Sequence, residues 1–205
     1  MTNDLFTLLS VLEPIPMVGA EVSYMRELPL GRSPIELAQE LMTSTPWRAE
    51  QIVVWGKSYP QPRLIAWYGD ETKNYSYSGI ALQPLPWTAT LIDVKSRVED
   101  ATGAVFNSVL LNYYRNNQDS MGFHSDDEPE LGVQPIIASL SLGAERTFVL
   151  KHKSSKHEKA VRLKLPSGSL LLMRGDTQRN WKHGIGKESA ACGPRVNLTF
   201  RRIFT

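Results

Sequence analysis

Two histidines and one carboxylate, His124, Asp126 and His183, are the residues of this chain best suited to chemistry. They offer three ligands to a metal that keeps open coordination positions, the 2-His-1-carboxylate set of non-haem Fe(II) oxygenases. His124 and Asp126 lie two residues apart, so on an extended strand or its edge their side chains project together. The third ligand comes from elsewhere in the chain. His183 is a better candidate than His152 or His157, which sit in a lysine-rich stretch, 151–159, that reads as a solvated hairpin loop. An H-x-D tripeptide alone says little. It gains weight from the stretch Arg195-Val196-Asn197-Leu198-Thr199-Phe200-Arg201, which alternates strictly. On a strand, Arg195, Asn197, Thr199 and Arg201 share one face, and the three apolar residues share the other. Two guanidiniums beside a metal suit a dicarboxylate, because their fork matches a carboxylate bidentately. A metal triad with a dicarboxylate clamp is the equipment of a 2-oxoglutarate-dependent oxygenase. Asn112 and Tyr114, on one strand face, could add polar contacts to the same acid; as buried polar groups they need partners in any case.

The elements that must position these residues are mostly strands. Ser33-Pro34-Ile35-Glu36 is a capping box with proline at the first helical position, and Ile35, Ala38, Leu41 and Met42 follow helical spacing up to Pro46. A second helix is predicted from about Thr88 to Ala101, with Leu91, Val94, Val98 and Ala101 on one stripe and Gly103 past its end. Residues 1–30, punctuated by Pro14, Pro16 and Pro29, read as irregular. Strands and turns fill 51–82. Serial strands follow at 105–114, 136–142, 147–151, 161–165, 169–173 and 196–203, several of them alternating apolar with polar. Short alternating strands between turn residues indicate an antiparallel sandwich or jelly roll. Helices first and strands later make the class α+β.

Length and composition set wide bounds. At 205 residues the chain is most simply one domain. Its 41% hydrophobic and 21% charged content is ordinary for a globular protein, and a net charge of +2 is compatible with a nucleic-acid partner without arguing for one. The single cysteine, Cys192, excludes an internal disulfide framework and a zinc-finger spacing. No apolar stretch approaches the ~20 residues that span a bilayer, and no basic segment precedes the short apolar run 5–12. These features predict a soluble protein without membrane contact, cytoplasmic in a bacterium or nuclear in a eukaryote, and not secreted; a monomer is the default expectation for an oxygenase of this kind.

From Asn112 to Arg201 the chain resembles the AlkB-type Fe(II)/2-oxoglutarate dioxygenases. Asn112-x-Tyr114, His124-x-Asp126-Asp127-Glu128, the strand 136–143, His183 and Pro194-Arg195-Val196-Asn197-Leu198-Thr199-Phe200-Arg201 occur in the family's order. Upstream the likeness runs through Pro62-Arg63, Trp67-Tyr68-Gly69-Asp70 and Tyr75-Ser76-Tyr77-Ser78-Gly79, covering about residues 50–205. The resemblance implies a double-stranded β-helix (jelly-roll) core at 105–205, a helix at 83–104, a β-hairpin nucleotide-recognition lid at 51–82 and an N-terminal extension with a helix at 1–50. It implies His124, Asp126 and His183 as iron ligands, and Asn112, Tyr114, Arg195, Thr199 and Arg201, supported by Asn197, around 2-oxoglutarate. It also makes Asp127 and Glu128 readers of the damaged base, Tyr75, Ser76 and Tyr77 the residues that sandwich it, and Arg63 a neighbouring contact. Val54-Trp55-Gly56-Lys57 resembles the hairpin that drives an aromatic ring into a duplex, with Trp55 where phenylalanine is usual. A core position for Trp55 is the alternative. Residues 60–63 resemble members preferring single strands, so both strand preferences stand.

The reaction so implied uses Fe(II), 2-oxoglutarate and O2, with ascorbate as reductant in assays. A methyl group on a base nitrogen, as in N1-methyladenine or N3-methylcytosine, is hydroxylated and lost as formaldehyde, while 2-oxoglutarate becomes succinate and CO2. The substrate is alkylated DNA, single- or double-stranded, with RNA as a further partner. A base in a duplex must first be extruded. Lys151, Lys153, Lys156 and Lys159 are candidates for phosphate contact. Two rivals remain: the same chemistry on protein or a small molecule, and a jelly-roll binding module that has lost catalysis.

Overall fold

The computed structural model describes residues 11–54, 57–71, 75–77, 80–82, 84–155 and 157–204. Its centre is a pair of antiparallel sheets. The strands, in chain order, are β1 (Glu13–Ile15), β2 (Glu21–Met25), β3 (Gln51–Val54), β4 (Lys57–Pro60), β5 (Leu64–Gly69), β6 (Tyr75–Tyr77), β7 (Ile80–Leu82), β8 (Ser108–Tyr114), β9 (Met121–His124), β10 (Ile137–Gly143), β11 (Arg146–His152), β12 (Val161–Leu165), β13 (Leu170–Arg174), β14 (Trp181–Ile185) and β15 (Arg195–Arg201). The large sheet has the order β1-β2-β13-β10-β15-β8-β5 and the small one β12-β11-β14-β9. Strands β8 to β15 divide four and four between them, which is the eight-stranded jelly roll expected for this pattern. Strands β5, β2 and β1 widen the large sheet. Residues 1–30 were expected to be irregular; instead β2 pairs with β13 along its whole length, from Glu21 opposite Arg174 to Met25 opposite Leu170. The prolines fall outside β2, whose two buried apolar residues, Val22 and Met25, stand three apart and enter different cores, so no period of two shows in the sequence.

Among the described residues three α-helices and a short 3-10 turn (Pro129–Leu131) accompany the sheets: α1 (Pro34–Ser44), α2 (Ala89–Thr102) and a single turn, α3 (Thr177–Asn180). Ser33 caps α1 by accepting from the Glu36 amide, although Leu37 rather than Ile35 heads its buried stripe; Ile35 is exposed. Thr88 caps α2, and Gly103, at φ 64°, ends it in the left-handed region where glycine carries no Cβ penalty. Among the described residues no helix is long and apolar enough to cross a membrane.

The large sheet is buried on both faces, and its strands separate two cores by alternation. Val196, Leu198 and Phe200 pack with Leu140 and Leu142 under Leu37, Leu41, Leu91, Val94 and Val98 of the helices. On the other face Leu110, Ile137, Leu171 and Met173 meet Phe148, Leu150, Leu165 and Ile185 of the small sheet. Each fully buried leucine or isoleucine contributes about 1.5–3 kcal/mol. A one-residue slip of β15 would exchange its arginines with its apolar residues, so burial on both sides fixes the register. Within 51–82, by contrast, only β5 joins the large sheet, pairing with β8 from Leu64 to Gly69, while the segments on either side of it form two separate two-stranded hairpins, β3–β4 and β6–β7. Both are rooted on β5: Arg48 bridges Ile65 before and Leu85 bridges Tyr68 after.

Candidate metal centre and co-substrate cavity

The functional side chains converge between the two sheets because each strand there places alternate residues inward. β14 pairs with β9 so that His183 stands directly opposite His124. Directly opposed residues share a face, and the two imidazole centroids lie 4.4 Å apart. β9 ends at His124, and the chain beyond it carries Asp126 back between the rings. Its Oδ1 is 3.8 Å from His124 Nε2 and its Oδ2 is 3.8 Å from His183 Nε2. One ligand atom from each residue lies within 4.8 Å of the others.

The charges suit a cation there. Burial alone would raise the Asp126 carboxyl, but Arg201 first, then His183 and His124, hold it down at about 2. Arg201 donates to Asp126 Oδ1 at 2.7 Å. The other oxygen, Oδ2, is buried and accepts no hydrogen bond, which is costly for an anionic oxygen unless a cation meets it. Burial, reinforced by His124 and opposed by Asp126, lowers His183 to about 3, so it is a neutral ligand at physiological pH. His124 Nδ1 lies 3.0 Å from the Gly122 carbonyl; a proton on that nitrogen leaves Nε2 free to coordinate. The donor set and the bare carboxylate oxygen fit Fe(II).

Asn112, Tyr114, Asn197, Thr199 and Arg201 line the cavity beside these ligands together with the triad. β15 runs between β10 and β8, with Asn197 opposite both Ser141 and Asn112. Asn197 donates to Ser139 Oγ (2.9 Å) and the Leu140 carbonyl (2.8 Å), and Thr199 donates to Asn197 Oδ1 (3.3 Å). Arg195 is fully buried behind Tyr114, its guanidinium 5.2 Å from that ring, and does not itself line the cavity. Its Nη2 donates to Ser141 Oγ, while Nε and Nη1 have no partner. Burial lowers it to about 10, against Tyr114 and with Arg146, so it stays a cation with unused donors at the closed end.

The expected substrate contacts fare differently. Arg63 is buried, and its Nε donates to Asn112 Oδ1 at 2.7 Å, so it braces the cavity wall. Asp127 is exposed and paired with Lys153 at 3.0 Å, and Glu128 is half-buried beside it. Tyr75, Ser76 and Tyr77 form β6, and Lys57 begins β4. Trp55 and Gly56 lie outside the described residues, as does Lys156. Lys151 covers the exposed Phe123 ring at 4.2 Å.

Several supports escaped the sequence. Ser139 and Ser141, which hold Asn197 and Arg195, show in the sequence only as the polar half of an alternating strand. Arg146 is fully buried and donates to the carbonyls of Asn116, Asp119 and Gly186, tying the loops at the closed end. Gln178 accepts from the Asp126 amide at 3.0 Å, and nothing in its neighbourhood announced it.

Comparison with known proteins agrees with this geometry. Residues 25–201 match the model of the 2OG-Fe(II) oxygenase superfamily. Over 176 residues the chain is 44% identical to alpha-ketoglutarate-dependent dioxygenase alkB homolog 3 of Mus musculus, covering 82% of this chain and 61% of that one. It thus spans about three fifths of that relative's length. It is 42% identical to the DNA oxidative demethylase ALKBH2 of Mus musculus over 174 residues, 82% of this chain and 72% of the other. Among solved structures, OsALKBH1 superposes with a TM-score of 0.65 at 18% identity, over 92% of this chain and all of that one, a likeness of fold. With strand order, triad and identity in agreement, the chain belongs to the 2OG-Fe(II) oxygenase superfamily and, within it, to the AlkB-type dioxygenases.

Proposed function

We propose that this protein is an Fe(II)/2-oxoglutarate-dependent dioxygenase that removes methyl groups from the base nitrogens of alkylated DNA, restoring N1-methyladenine and N3-methylcytosine to normal bases. The observation that carries the reading is the Asp126 carboxylate set against two imidazoles, its Oδ2 beside His183 accepting no hydrogen bond, in a cavity whose polar wall includes Asn112, Tyr114, Asn197, Thr199 and Arg201. Bound Fe(II), with 2-oxoglutarate and O2, supplies oxidation of a C–H bond coupled to decarboxylation of the co-substrate to succinate and CO2. The hydroxymethyl product then releases formaldehyde.

The chain's own residues do the rest. His124, Asp126 and His183 hold the metal. Arg201 neutralises the buried carboxylate and orients it. Arg195, behind Tyr114, gives the closed end a positive charge for the far carboxylate of 2-oxoglutarate. The walls of Leu110, Phe148, Met173 and Ile185 keep the site apolar around these groups and exclude water. Asp127 and Glu128 stand next to the metal ligand, where an N1- or N3-methylated base brings a positive charge. The hairpins of 51–82 act as the lid that takes an extruded base, with Trp55, Lys57, Tyr75, Ser76 and Tyr77 as its contacts. The name of the mouse relative, a DNA oxidative demethylase, supports DNA as the substrate. On this reading the chain works as one monomeric dioxygenase domain.

The test is formaldehyde and succinate release from a single-stranded oligonucleotide carrying one N1-methyladenine, with Fe(II), ascorbate and 2-oxoglutarate. A His183→Ala variant runs beside it, and duplex DNA and RNA of the same sequence follow. The proposal predicts equal formaldehyde and succinate, both lost in His183→Ala. Succinate without base repair would retain the oxygenase and reject the nucleic-acid substrate. Neither product, with metal bound, would leave only a binding module.

A further inference from the structure

Gln178 is a polar side chain with no evident reason to be buried, yet only 1% of it is exposed. An aliphatic residue would fill the same space. Its Nε2 meets only the Met173 sulfur, at 3.5 Å, a weak acceptor. Its Oε1 accepts from the backbone amide of Asp126 at 3.0 Å, across 52 residues of chain. Since an amide N–H can only donate, this contact fixes which end of the side chain carries the oxygen.

That amide needs the help. β9 stops at His124, so Asp126 lies past the last ladder bond, buried and away from water. One residue earlier, Ser125 Oγ donates to the Trp181 carbonyl at 2.9 Å. Gln178 and Trp181 belong to the segment that delivers the third ligand: α3 runs directly into β14, and His183 is two residues past Trp181. Two side-chain-to-backbone bonds thus lock the His124–Asp126 segment onto the segment leading to His183. α3 is itself held, since Thr177 Oγ1 accepts from the Glu21 amide. Arg201 fixes one carboxylate oxygen of Asp126 from the side chain; Gln178 fixes the residue from the backbone.

We propose that Gln178 is a positioning residue of the metal centre, setting the backbone of Asp126 so that its free oxygen and the two imidazoles converge on one ion. The proposal rests on the reading of His124, Asp126 and His183 as metal ligands. Without the acceptor, the Asp126 amide turns to find another partner and carries the carboxylate with it. Partners one shell out from a metal typically matter about 10–100-fold in affinity.

The full-length protein is titrated with Co(II), read by its d–d absorption, as wild type, Gln178→Met and Gln178→Glu. Methionine keeps the volume and loses the acceptor; glutamate keeps an acceptor oxygen at the same reach. Gln178→Met is expected to bind Co(II) about 10–100-fold more weakly with a changed spectrum, and Gln178→Glu to recover most of both. If Gln178→Met does not fold, Gln178→Ala deletes the acceptor without adding bulk and is expected to show the same loss. A variant without the acceptor that binds Co(II) with wild-type affinity and spectrum overturns the proposal. So does an equal loss in the Met and Glu variants that tracks their melting temperatures, because that is a packing role. Wild type that binds Co(II) no better than His183→Ala would instead remove the metal site itself.

Discussion

The cavity between the sheets and the hairpins of residues 51–82 are built on different terms. Every polar group proposed for the metal and 2-oxoglutarate stands on, or just beyond, a strand paired on one or both sides, and is buried or half-buried with named partners. The hairpins hold three or four residues per strand, pair among the described residues only with themselves, and join the rest through their roots on β5. A lone two-stranded hairpin is marginally stable in water. The contrast assigns reaction class to the rigid part and choice of substrate to the detachable part. Changes in the cavity should therefore alter stability, metal and co-substrate together, whereas changes in the hairpins should alter nucleic-acid turnover alone.

The largest expected effect comes from Asp126→Ala. It removes a metal ligand and strips the buried Arg201 guanidinium of its carboxylate partner at 2.7 Å. Breaking a buried pair from one side costs about 3–5 kcal/mol. Urea unfolding of the metal-free protein should show a loss of that order, and Co(II) titration should show no specific site. A variant as stable as wild type would mean that the cavity is not the rigid region claimed here.

Acid should reach the same region next. His183 sits at about 3 in the folded chain and near 6.5 unfolded; Asp126 sits at about 2 and near 3.8. In both cases the unfolded chain binds protons the folded one refuses, so stability rises with pH. The metal-free protein should be most stable above pH 6.5, lose stability as pH falls toward 3 through His183, and lose more toward 2 through Asp126. Melting temperatures between pH 7.5 and 4.5 measure the first part. His183→Ala should flatten the slope there; an unchanged slope would assign it to other groups.

The same contrast explains what was legible in the sequence. A strand such as β15, fixed on both sides, must alternate strictly, so its two faces could be read residue by residue and the structure keeps them. Local signals also sufficed for the Ser33 and Thr88 caps and the Gly103 stop. β14 was missed although it carries His183, because Trp181-Lys182-His183-Gly184-Ile185 is short and interrupted by glycine. Gln178 and Arg146 act across 52 and about 30–40 residues of chain, a closeness that only the fold creates. Arg63 was placed by its neighbours in sequence, and the structure turns it inward to Asn112.

The hairpins give the smallest effect on folding and the sharpest test of the comparison. Tyr77, in β6, is read as one of the residues that sandwich an extruded base, and among the described residues its strand pairs with β7 and with neither the large nor the small sheet. On this division Tyr77→Ala should change unfolding free energy by no more than about 0.5 kcal/mol. It should leave the KM for 2-oxoglutarate and Co(II) binding as they are. Loss of one base–aromatic stack, about 1–3 kcal/mol, should lower kcat/KM on a methylated oligonucleotide by roughly 5- to 150-fold. Steady-state kinetics with the oligonucleotide and 2-oxoglutarate varied in turn separate the two. If the 2-oxoglutarate KM moves as far as the oligonucleotide's, the hairpin is part of the cavity after all, and the division between a rigid chemical centre and a detachable selector fails.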